Sequence, residues 1–152
     1  MSVNRPTFNP ILQSRNIQDK IVLDLGSCVI RIGFSGEATP RAIYRTSDMG
    51  LGDGKDIILL SKAIRMILRG LVSADSKPRN WVICDNPHSS IAGKNLLAAV
   101  LFQELKASTV SFVPTPFLAL FASGATASLV VDVGYKSTTV VPVIINLIID
   151  FR

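Results

Sequence analysis

The sequence predicts an α/β domain, and three observations carry that prediction. Short β-branched apolar runs near the start read as a strand meander, and beyond them apolar residues recur at helical spacing in segments separated by further short strands. The phrase Asp-x-Gly also stands twice between two apolar runs, as Asp24-Leu25-Gly26 and Asp132-Val133-Gly134. At 152 residues and 48% hydrophobic content, the chain is long enough for one domain with a substantial core.

The elements follow in order. Ile21 to Asp24, Val29 to Phe34 and about Ala42 to Tyr44 are the strands of the meander, with Gly36 and Pro40 punctuating the second connection. Ile57, Leu60, Ile64, Ile67, Leu68 and Leu71 recur at helical spacing, so a helix is expected from Asp56 to Leu71 with Asp56 as its cap. Asn80 to Cys84 (NWVIC) is a short buried strand. Ser89 and Ser90 can cap a second helix to about Lys106, whose apolar face carries Ile91, Leu96, Val100, Leu101 and Leu105. Thr109 to Val113 is the next strand, Pro116 to Ser123 a third helix stopped by Gly124, and Leu129 to Val143 a second hairpin. Three strands followed by helix, strand, helix, strand, helix describe an α/β unit of the ribonuclease H type, and the second hairpin opens another unit of the same kind.

The repeated phrase carries the chemistry. Glycine at the turn allows positive φ and lets backbone N–H groups approach a phosphate, while the aspartate at the strand end can hold the water shell of a Mg²⁺ counterion. One copy commonly serves only to reverse the chain. Two copies in the same strand, turn, strand order suggest a nucleotide held between two related halves.

Other chemistries find less support. The formal net charge is +5, but the basic residues are scattered and no aromatic residues alternate with them, so a nucleic-acid surface is not expected. Cys28 and Cys84 have no metal-ligand spacing and read as free thiols of a reducing compartment, and the single histidine, His88, has no partners for nucleophilic catalysis. Gly50 to Lys55 invites comparison with a P-loop, yet Met49 stands where the first glycine is required and Asp56 where Ser or Thr should follow the lysine. Residues 1–19 are polar, lack an apolar signal region and read as a flexible extension. Val140 to Ile149 is too short to span a bilayer and contains Pro142, so no membrane span is expected.

Two segments resemble a known family. Asp24 to Arg41 (DLGSCVIRIGFSGEATPR) resembles the first phosphate motif of actins and actin-related proteins, and Leu120 to Val143 (LFASGATASLVVDVGYKSTTVVPV) resembles their hinge helix and second phosphate motif. The resemblance implies an actin-like ATPase fold, with the first half complete and the first hairpin of the second half. Residues 20–124 would form the first subdomain, with a strongly shortened second subdomain near 45–59, and residues 125–152 would begin the second half. After Val143 the family continues into the rest of that half, whereas this sequence reads Ile144 to Arg152 and stops, which leads us to expect a truncated chain lacking one wall of the nucleotide cleft.

Roles carried over from the family fall on named residues. Gly26, Ser27, Cys28 and Arg31 match the first phosphate loop and its basic ligand; Gly134, Tyr135 and Lys136 match the second loop; Asp24 and Asp132 match the carboxylates facing a hydrated Mg²⁺. ATP or ADP with Mg²⁺ is the cofactor that the resemblance implies for a full-length form. Cys28 replaces a glycine, and Tyr135 and Lys136 replace an Asp-Gly pair, which narrows the cradle. Thr115 and Thr139 stand where actin has the glutamine and histidine that act on the attacking water, so no ATPase activity is expected.

Within the family, Asp132 to Lys136 and the brief interval after Arg41 most resemble the actin-related class at the pointed end of dynactin. That likeness implies a cytoplasmic, cytoskeletal subunit that partners the dynactin filament and its pointed-end subunits. A nuclear chromatin-remodelling subunit, or part of a sugar-kinase-like phosphotransferase, are the alternatives.

Overall fold

The computed structural model describes residues 20–49, 62–67 and 79–144. Strands β1 (Lys20–Leu25), β2 (Val29–Phe34) and β3 (Ala42–Arg45) form the expected meander, followed by a 3₁₀ turn at Ser47–Met49. Helix α1 is seen over residues 62–67, inside the span predicted from the Ile and Leu spacing. The Asp56 cap, Ile57, Leu60, Leu68 and Leu71, the Gly50 to Lys55 segment and the extension at 1–19 lie outside the described residues. Strand β4 (Asn80–Asp85), helix α2 (Ile91–Ala99), strand β5 (Thr109–Pro114), helix α3 (Thr115–Ser123) and the hairpin β6 (Ala127–Val133) and β7 (Thr138–Ile144) complete the order.

Five strands make one sheet in the order β3-β2-β1-β4-β5. The meander strands pair antiparallel, whereas β1, β4 and β5 run parallel, as crossovers through helices require. Alternation along the strands fixes the core face: Ile21, Leu23, Ile30, Ile32, Trp81 and Ile83 are buried together with Ala63, Ile64 and Ile67 of α1 and Leu97, Val100 and Leu101 of α2. This mixed sheet with its helices is the α/β unit that the order of elements predicts.

The second helix keeps Val100, Leu101 and Leu105 of its predicted face on the core but turns Ile91 outward and Leu97 inward. Ile91 is 77% exposed, and the buried stripe is Leu97, Val100 and Leu101, at i, i+3 and i+4. The α-helix also ends sooner than expected, passing at Val100–Glu104 into a π-helical turn in which the Leu105 amide donates to the Val100 carbonyl at 3.2 Å. Because a π turn is wider, Leu105 still reaches the core from the far side of it. The predicted cap holds, with Ser90 Oγ accepting from the Gly93 amide at 3.1 Å. Gly124 stops α3 as expected, in the left-handed conformation at φ 69°.

Helix α3 packs apart from the main cluster. It touches β4 and β5 of the large sheet and both β6 and β7, which form a separate two-stranded sheet among the described residues. Thr139 and Val143 are buried on one face of that hairpin, whereas the opposite face exposes Leu129, Val131, Val133, Val140 and Ile144. Among the described residues no helix is long and apolar enough to cross a membrane.

Candidate functional site

The two Asp-x-Gly phrases fold into matching turns. In the first hairpin the last strand pair is Leu25 with Ile30, and in the second it is Val133 with Thr138, so each loop holds four residues. The Gly26 amide donates to the Val29 carbonyl at 3.0 Å and the Gly134 amide to the Ser137 carbonyl at 2.9 Å. The glycine requirement has a different cause from the one expected. Neither glycine takes positive φ; instead a Cβ at Gly26 would lie 2.6 Å from the Val29 carbonyl oxygen and one at Gly134 would lie 2.9 Å from that of Ser137. The space that only glycine leaves is filled by the chain's own carbonyl, and these two amides are committed to closing the turns.

A phosphate would therefore meet the tips of the turns. Ser27 is exposed and Cys28 half-buried, and the first turn is held from the residue that follows β3: Thr46 donates its amide to the Cys28 carbonyl at 3.0 Å and its hydroxyl to the Ser27 carbonyl at 3.1 Å. Tyr135 and Lys136 are exposed at the second turn.

Asp24 and Arg31 face each other across the β1–β2 pair, with Arg31 Nη1 3.0 Å from Asp24 Oδ2. Both groups are partly solvated, so the bond orients them more than it stabilises the fold. Asp132 holds the equivalent place in the second hairpin, where its cross-strand partner is Thr139 rather than an arginine. Among the described residues no group of three or more His, Cys, Asp and Glu converges in a way that could grip a metal directly.

The large sheet positions further groups beside Asp24. Register sets Asp24, Cys84 and Val113 in one row, at the end where the parallel strands β1, β4 and β5 finish. In open α/β sheets this carboxyl end is where ligands bind. Asp85 closes β4 there; it is buried and bonded to Lys94 Nζ on α2, while its carbonyl accepts the Thr115 hydroxyl at 2.8 Å. Sequence reasoning overlooked Asp85, Lys94 and Thr46. Asp85 was discoverable, since it ends an apolar strand just as Asp24 and Asp132 do.

Burial pushes the Cys84 thiol up to about 11, and the Asp24 carboxylate adds to the shift. Its folded value stands above the ordinary 9.0, so the stability it contributes is complete below about pH 9 and is lost as pH rises towards 11. At pH 8, iodoacetamide is expected to alkylate Cys84 roughly a hundredfold more slowly than free cysteine, because so little thiolate is present. Asp24→Asn is expected to recover part of that rate, as peptide mass spectrometry of timed samples will show.

Comparison with known proteins agrees with this architecture. The family description for actin matches residues 55–150, more than half of the chain. The actin-like protein ARP10 of Saccharomyces cerevisiae is 24% identical over 123 residues, covering 81% of this chain and 43% of its own length. The chain thus spans less than half of that relative. With the family match, the mixed sheet and the paired Asp-x-Gly hairpins in agreement, the chain belongs to the actin family.

Proposed function

We propose that the chain is the first half of an actin-related structural subunit of dynactin, one that caps the pointed end of its short filament and so supports dynein-driven transport on microtubules. The observation that carries this reading is the short passage from β3 to α1. Strand β3 ends at Arg45 and helix is already present at residue 62. Actin inserts a small subdomain in this interval, and its tip reaches the next subunit towards the pointed end. A subunit without that tip can join a filament while offering little for another to join, which is how a terminator behaves. The place of work on this reading is the cytoplasm and cytoskeleton.

Co-purification from cells tests it, using tagged versions of the 152-residue chain and of a longer form carrying the second half. The longer form is expected to recover dynactin. The shorter one is expected to fail, because a standard interface of about 800 Å² per partner draws on both halves of the fold. Recovery of chromatin-remodelling subunits by the longer form would move the assignment to the nuclear relatives.

The same reading takes the chain to be inactive as an ATPase. A nucleotide bound by the longer form would serve to join the two halves, with Mg²⁺ supplying charge compensation for its phosphates. On this chain Ser27, Cys28 and Arg31 would orient the phosphates, and Asp24 would accept from the metal's water shell. The Thr115 hydroxyl is already spent on the Asp85 carbonyl and Thr139 is buried. Neither is a base able to activate water at neutral pH. Steady-state assays are expected to give no turnover above background; turnover abolished by Asp24→Ala would sink this part of the reading.

A further inference from the structure

At the end of the large sheet remote from the Asp-x-Gly turns, four cationic residues lie along the rim. Register sets Lys20 beside Asn80 and Asn80 beside Thr109. Arg79 precedes Asn80, and its carbonyl accepts the Ser108 amide at 2.8 Å, which brings the 106–108 segment and exposed Lys106 to the same rim. On the other side, the chain after Gly36 folds back over Gly33, where a Cβ would lie 3.2 Å from the Arg41 nitrogen. The Arg41 guanidinium consequently stacks 4.7 Å from the centre of the Phe34 ring, and that of Arg79 lies 5.7 Å from the same centre. Glu37 accepts from Arg41 Nε at 2.7 Å and from the Phe34 amide at 3.2 Å. The Arg41 hydrogen bond holds the Glu37 carboxyl below its ordinary range. Lys20, Arg41, Arg79 and Lys106 thus lie along one rim, where Glu37 is paired with Arg41.

We propose that this basic rim is a docking surface for an extended acidic segment of a partner protein. Neighbouring strands lie about 4.8 Å apart, so the rim from β3 to β5 spans roughly 19 Å, the reach of about six extended residues. The Arg41 guanidinium, stacked on an aromatic ring, is held in one orientation by Glu37, which takes its Nε and Nη2 and leaves Nη1 to meet a partner carboxylate. The chain has no acidic run with which to cover the rim itself: its 11 Asp and Glu residues are dispersed, and no two are adjacent. Nucleic acid fits less well. The Phe34 ring is occupied by two guanidiniums rather than open to a base, and Glu37 would confront a phosphate backbone.

The test uses the full chain tethered sparsely to a biosensor surface, with a hexaglutamate peptide as the probe. Saturable binding that weakens with added salt is expected, and Lys20→Glu with Lys106→Glu should weaken it at least tenfold. Arg45→Glu with Lys62→Glu makes the same change in net charge away from the rim and should weaken it by less than threefold. Arg41→Lys keeps the charge but loses the stacked fork, and should weaken binding about threefold. If the glutamate pair disturbs the circular dichroism spectrum, Lys20→Gln with Lys106→Gln takes its place, with the same direction of change expected. Equal weakening by the two charge-reversed pairs, absence of peptide binding, or tighter binding of a twelve-nucleotide oligouridylate would each overturn the proposal.

Discussion

The isolated chain is expected to self-associate at micromolar concentration, and Val131→Glu with Val140→Glu to leave it a monomer. The cause is the outer face of the second hairpin. Val131 pairs directly with Val140, Leu129 with Pro142, and Ala127 with Ile144, so the large aliphatic side chains stand side by side without a charge among them. Leu129 is 61% and Val133 76% exposed. Together with Val131, Val140 and Ile144 they leave on the order of 500 Å² of apolar surface, at the upper end of what a soluble monomer presents in one patch. Two copies packing these faces together would bury about 1,000 Å², the lower bound for a specific contact. The two strands of this small sheet also invite edge pairing, which adds to the tendency. Analytical ultracentrifugation of both proteins across a concentration series measures the effect. A wild-type chain that stays monomeric at 50 times the lowest detectable concentration, on the order of the micromolar range of a weak dimer, would exclude this association.

The second large effect is expected at Trp81. Replacing it with alanine should cost about 3–5 kcal/mol, a large share of the 5–15 kcal/mol typical of a whole domain, and should abolish a cooperative thermal transition. Trp81 lies on β4 and is 2% exposed. Its strand is flanked by β1 and β5, so the indole shares the core face with Ile21 on one side and Val110 on the other. A cavity there opens under both neighbouring strands and beneath the helices, where the surroundings have little freedom to collapse. Val22→Ala, a smaller change at a half-buried position of β1, should leave a sharp melt. Near-UV circular dichroism and calorimetry distinguish the two variants. A cooperative Trp81→Ala melt within a few degrees of wild type would show that the core is organised elsewhere.

Much of the architecture was legible because it is written in local patterns. The meander strands lie within one residue of their predicted limits, since β-branched runs between turn residues have few other ways to fold. Gly124 was read correctly because the end of a helix calls for a left-handed residue. The face of α2 was legible at its C-terminal end, where Val100 and Leu101 are buried, but not at its start. Several apolar residues compete for it, and only the sheet beneath decides that Leu97 turns inward and Ile91 outward. The π turn after Ala99 was equally hidden, being a compromise between the helix and the strand that follows it. At the candidate site the repeated aspartate and glycine could be read, but the reason for glycine could not, because it depends on where a carbonyl three residues later comes to rest. The Asp85–Lys94 bond joins a strand end to a helix across a loop, and the Thr46 contacts join the residue after β3 to the β1–β2 turn. Neither follows a fixed spacing in the chain, so each becomes visible only once the sheet is assembled.

Helix α3 links the two sheets mechanically. Strand β5 passes into it without an intervening residue, Pro114 being the last of one and Thr115 the first of the other. The Thr115 hydroxyl fastens this joint to the end of the neighbouring strand β4. At its far end the helix turns through Gly124 into β6, and along its length it touches both strands of the second hairpin. The helix is thus an axle welded to the first sheet at one end and bearing the hairpin along its side. A force applied at the tip of the second turn has a short route back through that axle to Asp85, and from there to Lys94. The second Asp-x-Gly turn, far from the first in sequence, is thereby tied through one helix to the sheet that carries the first.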